Sequence, residues 1–448
     1  MTLKINNEKY ETRAFDCWPK MKELRSKHFW HTWNAQKDGN LLVLGMTFSF
    51  VGLLAGTGDF ANPTIGAHFT RLARTPNAEG ITQAVEAAEA WGLGRDVCGA
   101  MKCHLGQLFQ GLSTTSPMGD HVKHDFAMQC VGCHAIVKST QIAAEHLGLP
   151  FIFIDAPDSS RDYGKKYLLT QLQEIIEWLE KKTGRKYDDE KLVEGVKNEW
   201  YCGAKWSKCA ELLQNIPAPA GIRTMFSLRL PFVTGKHKKE CAEYVNMLYD
   251  ELKYRVDNKI SDLGVEKLRL NHENLHPLYR ADVLRSPERY GALFVGGQSL
   301  CTFGIWDYYP DGTHVAAKTP EQRGIQIKNR EDALNALIDM RLGSGEDGTQ
   351  REAENRDRII YKRTQDWHTD AVVIHYDRPC QANPNTLEAR VLLQEKGIPV
   401  GTYTSSQGDP RDFDERRILG PGGELTTFYE SLGLTRLEST EHSGPDAE

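Results

Sequence analysis

Three of the ten cysteines in this sequence stand in similar local settings that suit metal binding. Cys98 follows an acidic–apolar pair, Cys133 directly precedes a predicted helix, and Cys380 follows a predicted strand and precedes another helix. Open α/β sheets bind ligands at strand ends and helix N-termini, and a helix N-terminus favours the negative charge of a thiolate. Three thiolates from separate loops could therefore hold a [4Fe–4S] cluster that leaves one iron open to a substrate atom.

Other interpretations of the cysteines stay open. The segment from Cys130 to His134 has the form of a c-type haem attachment motif, although that haem is attached outside the cytoplasm. A structural zinc site usually shows two CxxC pairs, and this chain has one. Cys103 and Cys130 could shield a cluster or supply a further ligand. Small buried apolar residues are the preferred interpretation of the others, which are Cys17, Cys202, Cys209, Cys241 and Cys301.

Histidines accompany the three cysteines and could move protons at the same site. His104, His134 and His375 are the candidates, since histidine titrates near neutral pH and is a common general acid. Any one of them alone is more often a structural histidine with its hydrogen bonds satisfied.

The overall charge and the apolar segments argue against nucleic-acid binding and against a membrane span. The formal net charge is −6 over 448 residues, whereas a nucleic-acid surface normally gives a basic balance. The polar N-terminus lacks a signal-peptide pattern, and the apolar stretch from Leu41 to Gly56 is shorter than the roughly 20 residues that cross a bilayer. We therefore expect a cytoplasmic protein. In a reducing cytosol, clustered cysteines indicate metal binding or catalysis rather than disulfides.

Short apolar segments alternate with amphipathic segments, which predicts an α/β fold with parallel sheets. The predicted strands are Phe151–Ile154, Tyr290–Gly297, Asp370–His375 and Val400–Ser405. The predicted helices are Asn77–Trp91, Ile136–His146, Tyr163–Thr183, Lys239–Asn258, Arg330–Leu342 and Asn385–Lys396. No internal repeat is apparent in the sequence.

The domain organisation follows from composition and from a Pro- and Gly-rich segment, Pro217–Gly221, that suits a linker. We predict a largely helical N-terminal region over residues 1–90 and a first α/β domain over residues 91–221, which carries Cys98 and Cys133. A second α/β domain over residues 222–437 carries Cys380, and residues 438–448 form a tail for which we expect disorder.

Several segments together resemble the 2-hydroxyacyl-CoA dehydratase and benzoyl-CoA reductase family. These are GRDVCGAMKCHLGQ, HDFAMQCVGCHAIVKSTQIAAEHLGLPFIFIDAP, and DAVVIHYDRPCQANPNTLEAR followed by GDPRDF. The resemblance implies that Cys98, Cys133 and Cys380 anchor a [4Fe–4S] cluster between two flavodoxin-like domains. Dehydratases of the family usually show Cys-Ser at the first site and Ser-Cys-Lys at the last. This sequence has Cys98-Gly99 and Pro379-Cys380-Gln381 instead, which favours the reductase branch.

The reductase branch implies a function and a set of partners. The expected reaction is ATP-driven, single-electron reduction of the aromatic ring of benzoyl-CoA, or of a close analogue, to a cyclic diene. The sequence has no GxxxxGK[ST] phosphate loop, so the resemblance implies a separate two-subunit ATPase that passes electrons from ferredoxin, together with a sister subunit of the same family. Arg378 and Arg411 are candidates for binding the phosphates of the acyl-CoA substrate. The alternatives are a radical 2-hydroxyacyl-CoA dehydratase subunit and a non-catalytic electron-transfer protein.

Overall fold

Two four-stranded sheets, each with all of its strands parallel, form the framework of the chain. A computed structural model describes residues 3–45, 50–62, 78–111, 123–157, 162–342, 356–380, 383 and 386–443. The strands are β1 Glu11–Thr12, β2 Leu41–Gly45, β3 Phe60–Ala61, β4 Phe126–Cys130, β5 Phe151–Ile154, β6 Ile260–Ser261, β7 Leu268–Glu273, β8 Ala292–Gly297, β9 Trp306–Tyr308, β10 His314–Ala316, β11 Ala371–Asp377 and β12 Val400–Ser405.

Helices surround both sheets. They are α1 Trp18–Asn34, α2 Val51–Ala55, α3 Glu79–Ala90, α4 Gly99–Phe109, α5 His134–Leu147, α6 Asp162–Thr183, α7 Asp189–Leu212, α8 Ile222–Leu228, α9 Leu230–Gly235, α10 Lys239–Asp257, α11 Gln298–Cys301, α12 Arg330–Leu342, α13 Arg356–Asp366, α14 Leu387–Glu395, α15 Glu415–Leu419 and α16 Glu424–Ser431. Short 3₁₀ helices are Ala281–Tyr290, Glu321–Arg323 and Pro410–Asp412. No helix within these described ranges is long and apolar enough to cross a lipid bilayer.

The first sheet has the strand order β3-β2-β4-β5. Its strands β2 and β4 are short, fully or almost fully buried runs, because helices pack against both faces of the sheet. Counted within the sheet, the strands lie in the order 2-1-3-4, which is the flavodoxin-like order. The order reverses between β2 and β4, and open α/β sheets bind ligands beyond the carboxyl ends of the strands at such a point.

The second sheet has the order β12-β11-β7-β8, which is again 2-1-3-4 when it is counted from the opposite side. Its order reverses between β7 and β11. Helix α7 joins the two halves: Leu192, Val196 and Trp200 pack in the core beside the first sheet, while Trp206 and Cys209 pack in the core beside the second.

The predicted α/β class with parallel sheets is confirmed, and each predicted strand and helix overlaps an element of the structure. The apolar stretch that begins at Leu41 forms a buried strand and, beyond residues that lie outside the description, a buried helix. Strand β7 was missed. Its six residues are all buried although four of them, Arg269, Asn271, His272 and Glu273, are polar or charged.

Other features of the predicted organisation differ from the structure. The N-terminal 90 residues contain α1, α2 and α3, and also β2 and β3, which join the first sheet. Pro217–Gly221 is buried rather than an exposed linker, because Glu266 and Asp262 accept hydrogen bonds from its backbone. Ordered contacts continue to residue 443, where the Ser443 N–H donates to the Asp262 carbonyl over 2.8 Å, so disorder is wrong for residues 438–443. Residues 444–448 lie outside the described residues, and the domain bounds stay a prediction.

Candidate functional site

Two of the three predicted ligands occupy corresponding positions in the two sheets. Strand β4 ends at Cys130 and strand β11 ends at Asp377. Each is the third strand of its sheet when the strands are counted along the chain. Cys133 and Cys380 each lie three residues beyond that strand end. Cys133 is the N-cap of α5, and the Cys380 N–H donates to the Asp377 carbonyl over 2.8 Å. Both cysteines therefore lie beyond the carboxyl edge of a sheet, next to its reversal point.

Cys98 reaches the same region from a helix. It is the N-cap of α4, and the Gly99 backbone that follows it lies directly against the loop after β12. A Cβ atom on Gly99 would lie 2.6 Å from the Ser406 Oγ, and one on Gly408 would lie 2.3 Å from the Ala100 nitrogen. Both positions need glycine, because any side chain would separate the helix from the loop.

The three thiols interact electrostatically. The pKa of the Cys98 thiol is raised to about 12, mainly by burial and then by the Asp377 carboxylate, with smaller contributions from charges at Cys133 and Cys380. Charges act in this way only over short range, so the structure brings together the three cysteines that the sequence singled out. The raised pKa keeps the Cys98 thiol protonated in the absence of metal, and a metal that binds there must displace that proton.

The surroundings of these thiols are compatible with an iron–sulfur cluster. Across the described ranges, no three histidine, cysteine or acidic side chains converge closely enough to bind one metal ion. In a cubane cluster each thiolate binds a different iron, so the ligands stand further apart than those of one ion. Cys98 and Cys133 also pack against an apolar cluster that includes Ile81, Met101 and Ile136, which would shield a cluster from water. The residues present fit the predicted [4Fe–4S] group, and its binding stays a prediction.

Comparison with known proteins agrees with this geometry. The family model described as 2-hydroxyglutaryl-CoA dehydratase, D-component, matches residues 73–418. The chain belongs to this family. Cys98, Cys133 and Cys380 all lie within the matched residues of this D-component family member.

Known relatives include subunits named as dehydratases and a subunit named as a reductase. The (R)-phenyllactyl-CoA dehydratase alpha subunit of Clostridium sporogenes is 27% identical over 340 residues, covering 74% of this chain and 76% of that protein. The (R)-2-hydroxyglutaryl-CoA dehydratase alpha subunit of Acidaminococcus fermentans is 24% identical, covering 66% of this chain and 59% of that protein. One benzoyl-CoA reductase subunit of Thauera aromatica is 20% identical, covering 78% of this chain and 79% of that protein.

The other two candidate cysteine ligands have local partners in this D-component family member. Cys103 is buried and accepts a hydrogen bond from Gln107 over 3.2 Å, and burial raises the pKa of its thiol to about 12. Cys130 lies in the apolar core beside the first sheet, and its thiol donates to the Val131 carbonyl over 3.8 Å. These contacts account for both residues without a metal, and their role as further ligands stays a prediction.

The three candidate proton donors lie in different environments. His134 is exposed directly beside Cys133 at the start of α5. His104 is buried within α4, and burial lowers its pKa to about 4. His375 is buried with both ring nitrogens bonded, Nδ1 to the Leu275 carbonyl and Nε2 to Ser405 Oγ at 2.7 Å. The geometry therefore favours a structural role for His375, and His134 is the candidate that solvent can reach.

The two candidate arginines also differ. Arg378 is exposed one residue after β11, where a ligand could reach it. Arg411 instead binds Glu89 and Asp409, with its closest contact to Glu89 at 2.6 Å and to Asp409 at 2.7 Å. Its hydrogen bonds lower the pKa of Glu89 to about 2. Lys102, which is buried on α4, joins the same network through Glu89 at 2.7 Å, so Arg411 fixes the Cys98 helix against the loop after β12.

Asp377 is a site residue that the sequence reasoning missed. It is buried at the end of β11, its charge reaches Cys98, and its Oδ1 has no hydrogen-bond partner among the described residues. Burial raises the pKa of its carboxyl to about 7, although the Gln407 N–H donates to it. The signal was available in the sequence, because an acidic residue at the end of a buried strand, three residues before a candidate ligand, is placed where ligands bind.

Proposed function

We propose that this chain is the cluster-bearing subunit of an enzyme that transfers single electrons to a coenzyme A thioester. The observation that supports the proposal is the electrostatic effect of Cys133 and Cys380 on Cys98, together with the packing of Cys98 and Cys133 against one apolar cluster. A [4Fe–4S] cluster held there would supply electrons at low potential and an open iron for the substrate.

The chain's own residues would hold the reactants and manage protons. Cys98 and Cys133 sit at N-termini of helices, whose dipoles favour the negative charge of thiolates. The apolar cluster beside them would exclude water from a reactive substrate radical. Asp377, whose pKa is raised to about 7 by burial, is a candidate proton donor near neutral pH, and His134, exposed beside Cys133, is a second candidate.

The proposed substrate is an aromatic acyl-CoA, and the proposed reaction is reduction of its ring to a cyclic diene. Gly99 supports the reductase branch, because it stands where the dehydratases of the family usually have serine. A serine side chain at that position would clash with Ser406 and the backbone around Gly408. The close packing of the Cys98 helix therefore requires glycine at position 99, where the dehydratase pattern has serine.

Dehydration of a 2-hydroxyacyl-CoA is the second candidate function. Two relatives named as dehydratase alpha subunits are 27% and 24% identical, whereas the relative named as a benzoyl-CoA reductase subunit is 20% identical. These identities favour dehydration, whereas the residues beside Cys98 and Cys380 favour reduction. Both reactions would use the same three thiols.

The proposed assembly pairs this chain with a sister subunit of the same family and with a separate two-subunit ATPase that accepts electrons from ferredoxin. The names of the relatives support a multi-subunit enzyme, since each is a subunit. The proposed location is the cytoplasm.

Anaerobic purification followed by iron and sulfide analysis and EPR spectroscopy tests the cluster. Cys98→Ala, Cys133→Ala and Cys380→Ala should each lose the cluster signal. Cys209→Ala is the matched control, because Cys209 lies on α7 and is buried in the apolar core beside the second sheet. Iron and signal retained in any of the three variants would remove that residue from the ligand set, and iron-free intact protein would end the proposal.

Reductant use by the assembled complex separates the two reactions. The complex is incubated with benzoyl-CoA or with (R)-phenyllactyl-CoA, and electrons consumed per product are counted. Reduction consumes two electrons in each turnover, whereas dehydration leaves the substrate without net reduction and needs reductant only to start. Turnover of phenyllactyl-CoA alone, with catalytic reductant, would reject the reductase assignment and leave the cluster proposal intact.

A further inference from the structure

Lys102 places a buried ammonium group one turn beyond Cys98. It lies on α4, and its backbone N–H donates to the Cys98 carbonyl over 3.0 Å in the first turn of that helix. Its side chain is only 1% exposed, although lysine is almost never fully buried unless its charge is paired. A lysine at this place therefore needs partners that offset the cost of taking its charge out of water.

One partner of the ammonium group is the segment that leads into Cys98. The Lys102 Nζ donates to the Arg95 carbonyl over 2.9 Å. Cys98 lies between these two residues, so the contact closes the segment 95–102 around it. Within the approach to the helix, the Val97 N–H also donates to the Gly94 carbonyl over 3.2 Å. Hydrogen bonds thus hold the backbone on both sides of the candidate ligand.

The same ammonium group reaches two carboxylates in other parts of the chain. It lies 2.7 Å from the Glu89 Oε1, on α3, and 3.5 Å from the Asp409 Oδ2, in the loop after β12. Asp409 is 2% exposed, and its carbonyl accepts a hydrogen bond from the Tyr279 hydroxyl over 3.0 Å. Arg411 binds both carboxylates as well, so two cations share two anions and the formal charges balance.

These contacts join the two halves of the chain beside the thiols. Helices α3 and α4 lie between β3 and β4 of the first sheet along the chain, whereas Asp409 follows β12 of the second sheet. The first sheet leads to Cys133 and the second leads to Cys380. Lys102 therefore ties the Cys98 segment to both halves, each of which supplies one of the other two thiols.

We propose that Lys102 is a positioning residue for Cys98, which holds the Cys98 sulfur where the other two thiols can share a cluster with it. This inference rests on the proposed function, because a cluster is what the three thiols would bind. Residues that orient metal ligands typically raise the affinity for the metal about tenfold or more. The bond to the Arg95 carbonyl carries the positioning, since it acts on the segment that contains the ligand.

Two variants separate positioning from charge balance. Lys102→Met removes every contact of the ammonium group and leaves the two carboxylates with one cation fewer. Lys102→Met/Glu89→Gln restores the charge balance but not the bond to the Arg95 carbonyl. Urea unfolding should show a large loss of stability in the first variant and a smaller loss in the second. A residue that only balanced charge would also recover its effect on Cys98 in the double variant.

Alkylation of the metal-free, full-length chain measures the position of Cys98 without a cluster. Each protein is treated with iodoacetamide, and mass spectrometry gives the rates of labelling at Cys98 and Cys209. In both variants Cys98 should react about tenfold faster than in the wild type, because the segment 95–102 opens more often. Cys209, which is buried in the core beside the second sheet, should keep its rate. A wild-type rate at Cys98 in the folded double variant would overturn the proposal.

Retention of iron tests the consequence for the cluster. After anaerobic purification, both variants should lose iron to a chelator about tenfold faster than the wild type. Equal rates of loss would overturn the proposal. Wild-type protein that contains no iron would instead overturn the proposed cluster, and the alkylation rates would still decide whether Lys102 positions Cys98.

Lys236→Met is the matched control. Lys236 is another buried lysine, and its ammonium group lies 3.1 Å from Glu199, but this pair joins the end of α9 to α7. The variant should lose stability and keep the wild-type values both for alkylation of Cys98 and for retention of iron. If it accelerated the labelling of Cys98 as much as Lys102→Met does, general destabilisation would explain both results and the proposal would be wrong.

Discussion

The two parallel sheets share a strand order and place a cysteine three residues beyond their third strands, yet their interiors differ. The first sheet is built from apolar runs such as the Phe151–Ile154 strand. The second has at its centre β7, where Arg269, His272 and Glu273 are buried. Both sheets pack in apolar cores, but the second one also holds paired, buried polar groups in its central strand.

The polar groups of the second sheet are bonded to one another. Glu273 accepts two hydrogen bonds of 2.9 Å from Arg363, and neither side chain is exposed to solvent. His272 Nε2 lies 3.0 Å from the Tyr403 hydroxyl, and Tyr403 stacks on His375. The two halves should consequently respond differently to substitution, because a lost methylene costs little whereas a buried charge without its partner costs a great deal.

The largest expected effect is that of Arg363→Met in the second half. The variant leaves the Glu273 carboxylate buried without its cation, and the free energy of unfolding should fall by about 3–5 kcal/mol. Urea unfolding followed by circular dichroism measures the change. The double variant Arg363→Met/Glu273→Met is the control, since replacing both charges removes the penalty and should recover much of the loss. A single variant that loses less than about 1 kcal/mol would contradict the comparison.

A pH dependence should also distinguish the second half. Glu288, in the 3₁₀ helix beside β8, is buried, and burial raises its pKa to about 8. The folded chain therefore holds this proton more tightly than the unfolded chain does. Its contribution to stability is complete below about pH 4.5 and is lost as the pH rises towards 8, at about 1.4 kcal/mol per pH unit.

Glu288→Gln should remove that part of the pH dependence and make the chain more stable than the wild type at pH 8. Urea unfolding curves between pH 5 and 8 measure the free energy of unfolding of both proteins at each pH. Glu243→Gln, at an exposed position on α10, should leave the pH profile unchanged. Parallel profiles for wild type and Glu288→Gln would show that this carboxyl does not titrate in that range.

A smaller effect is expected where the two sheets are alike. Ile154 in β5 and Ile374 in β11 are both fully buried, and either Ile→Val change should cost about 0.5–1.5 kcal/mol, independent of pH. Similar losses in the two variants would show that the halves differ in their charges and not in their apolar packing. A loss at Ile374 several times that at Ile154 would instead indicate that the second sheet is also packed differently.

The sequence predicts the apolar elements of this fold and misses the polar ones. Strands Phe151–Ile154 and Ala371–Asp377 were found because their apolar runs differ from their surroundings. Strand β7 was not, because its buried charges have partners, such as Arg363, that lie far away in the chain. The shared strand order was implied only by the family resemblance, since a repeat of topology leaves no repeat of residues.

The candidate site was predictable to a similar extent. Local context and family resemblance singled out Cys98, Cys133 and Cys380, and the structure brings their thiols together. The close contact between Gly99 and Gly408 and the pairing of Arg411 with Glu89 could not be foreseen. These contacts join segments about 300 residues apart, and only the folded chain shows which charges meet.

The smallest expected effect comes from an ion pair on the surface. Lys165 on α6 lies 3.0 Å from Asp339 on α12, with both side chains nearly half exposed. Water and salt screen such a pair, so Lys165→Met should change the free energy of unfolding by less than about 1 kcal/mol, and less still in 1 M salt. Urea unfolding at low and high salt measures both values. A loss close to that of Arg363→Met would mean that burial is not the reason for the large effect expected at the Arg363–Glu273 ion pair.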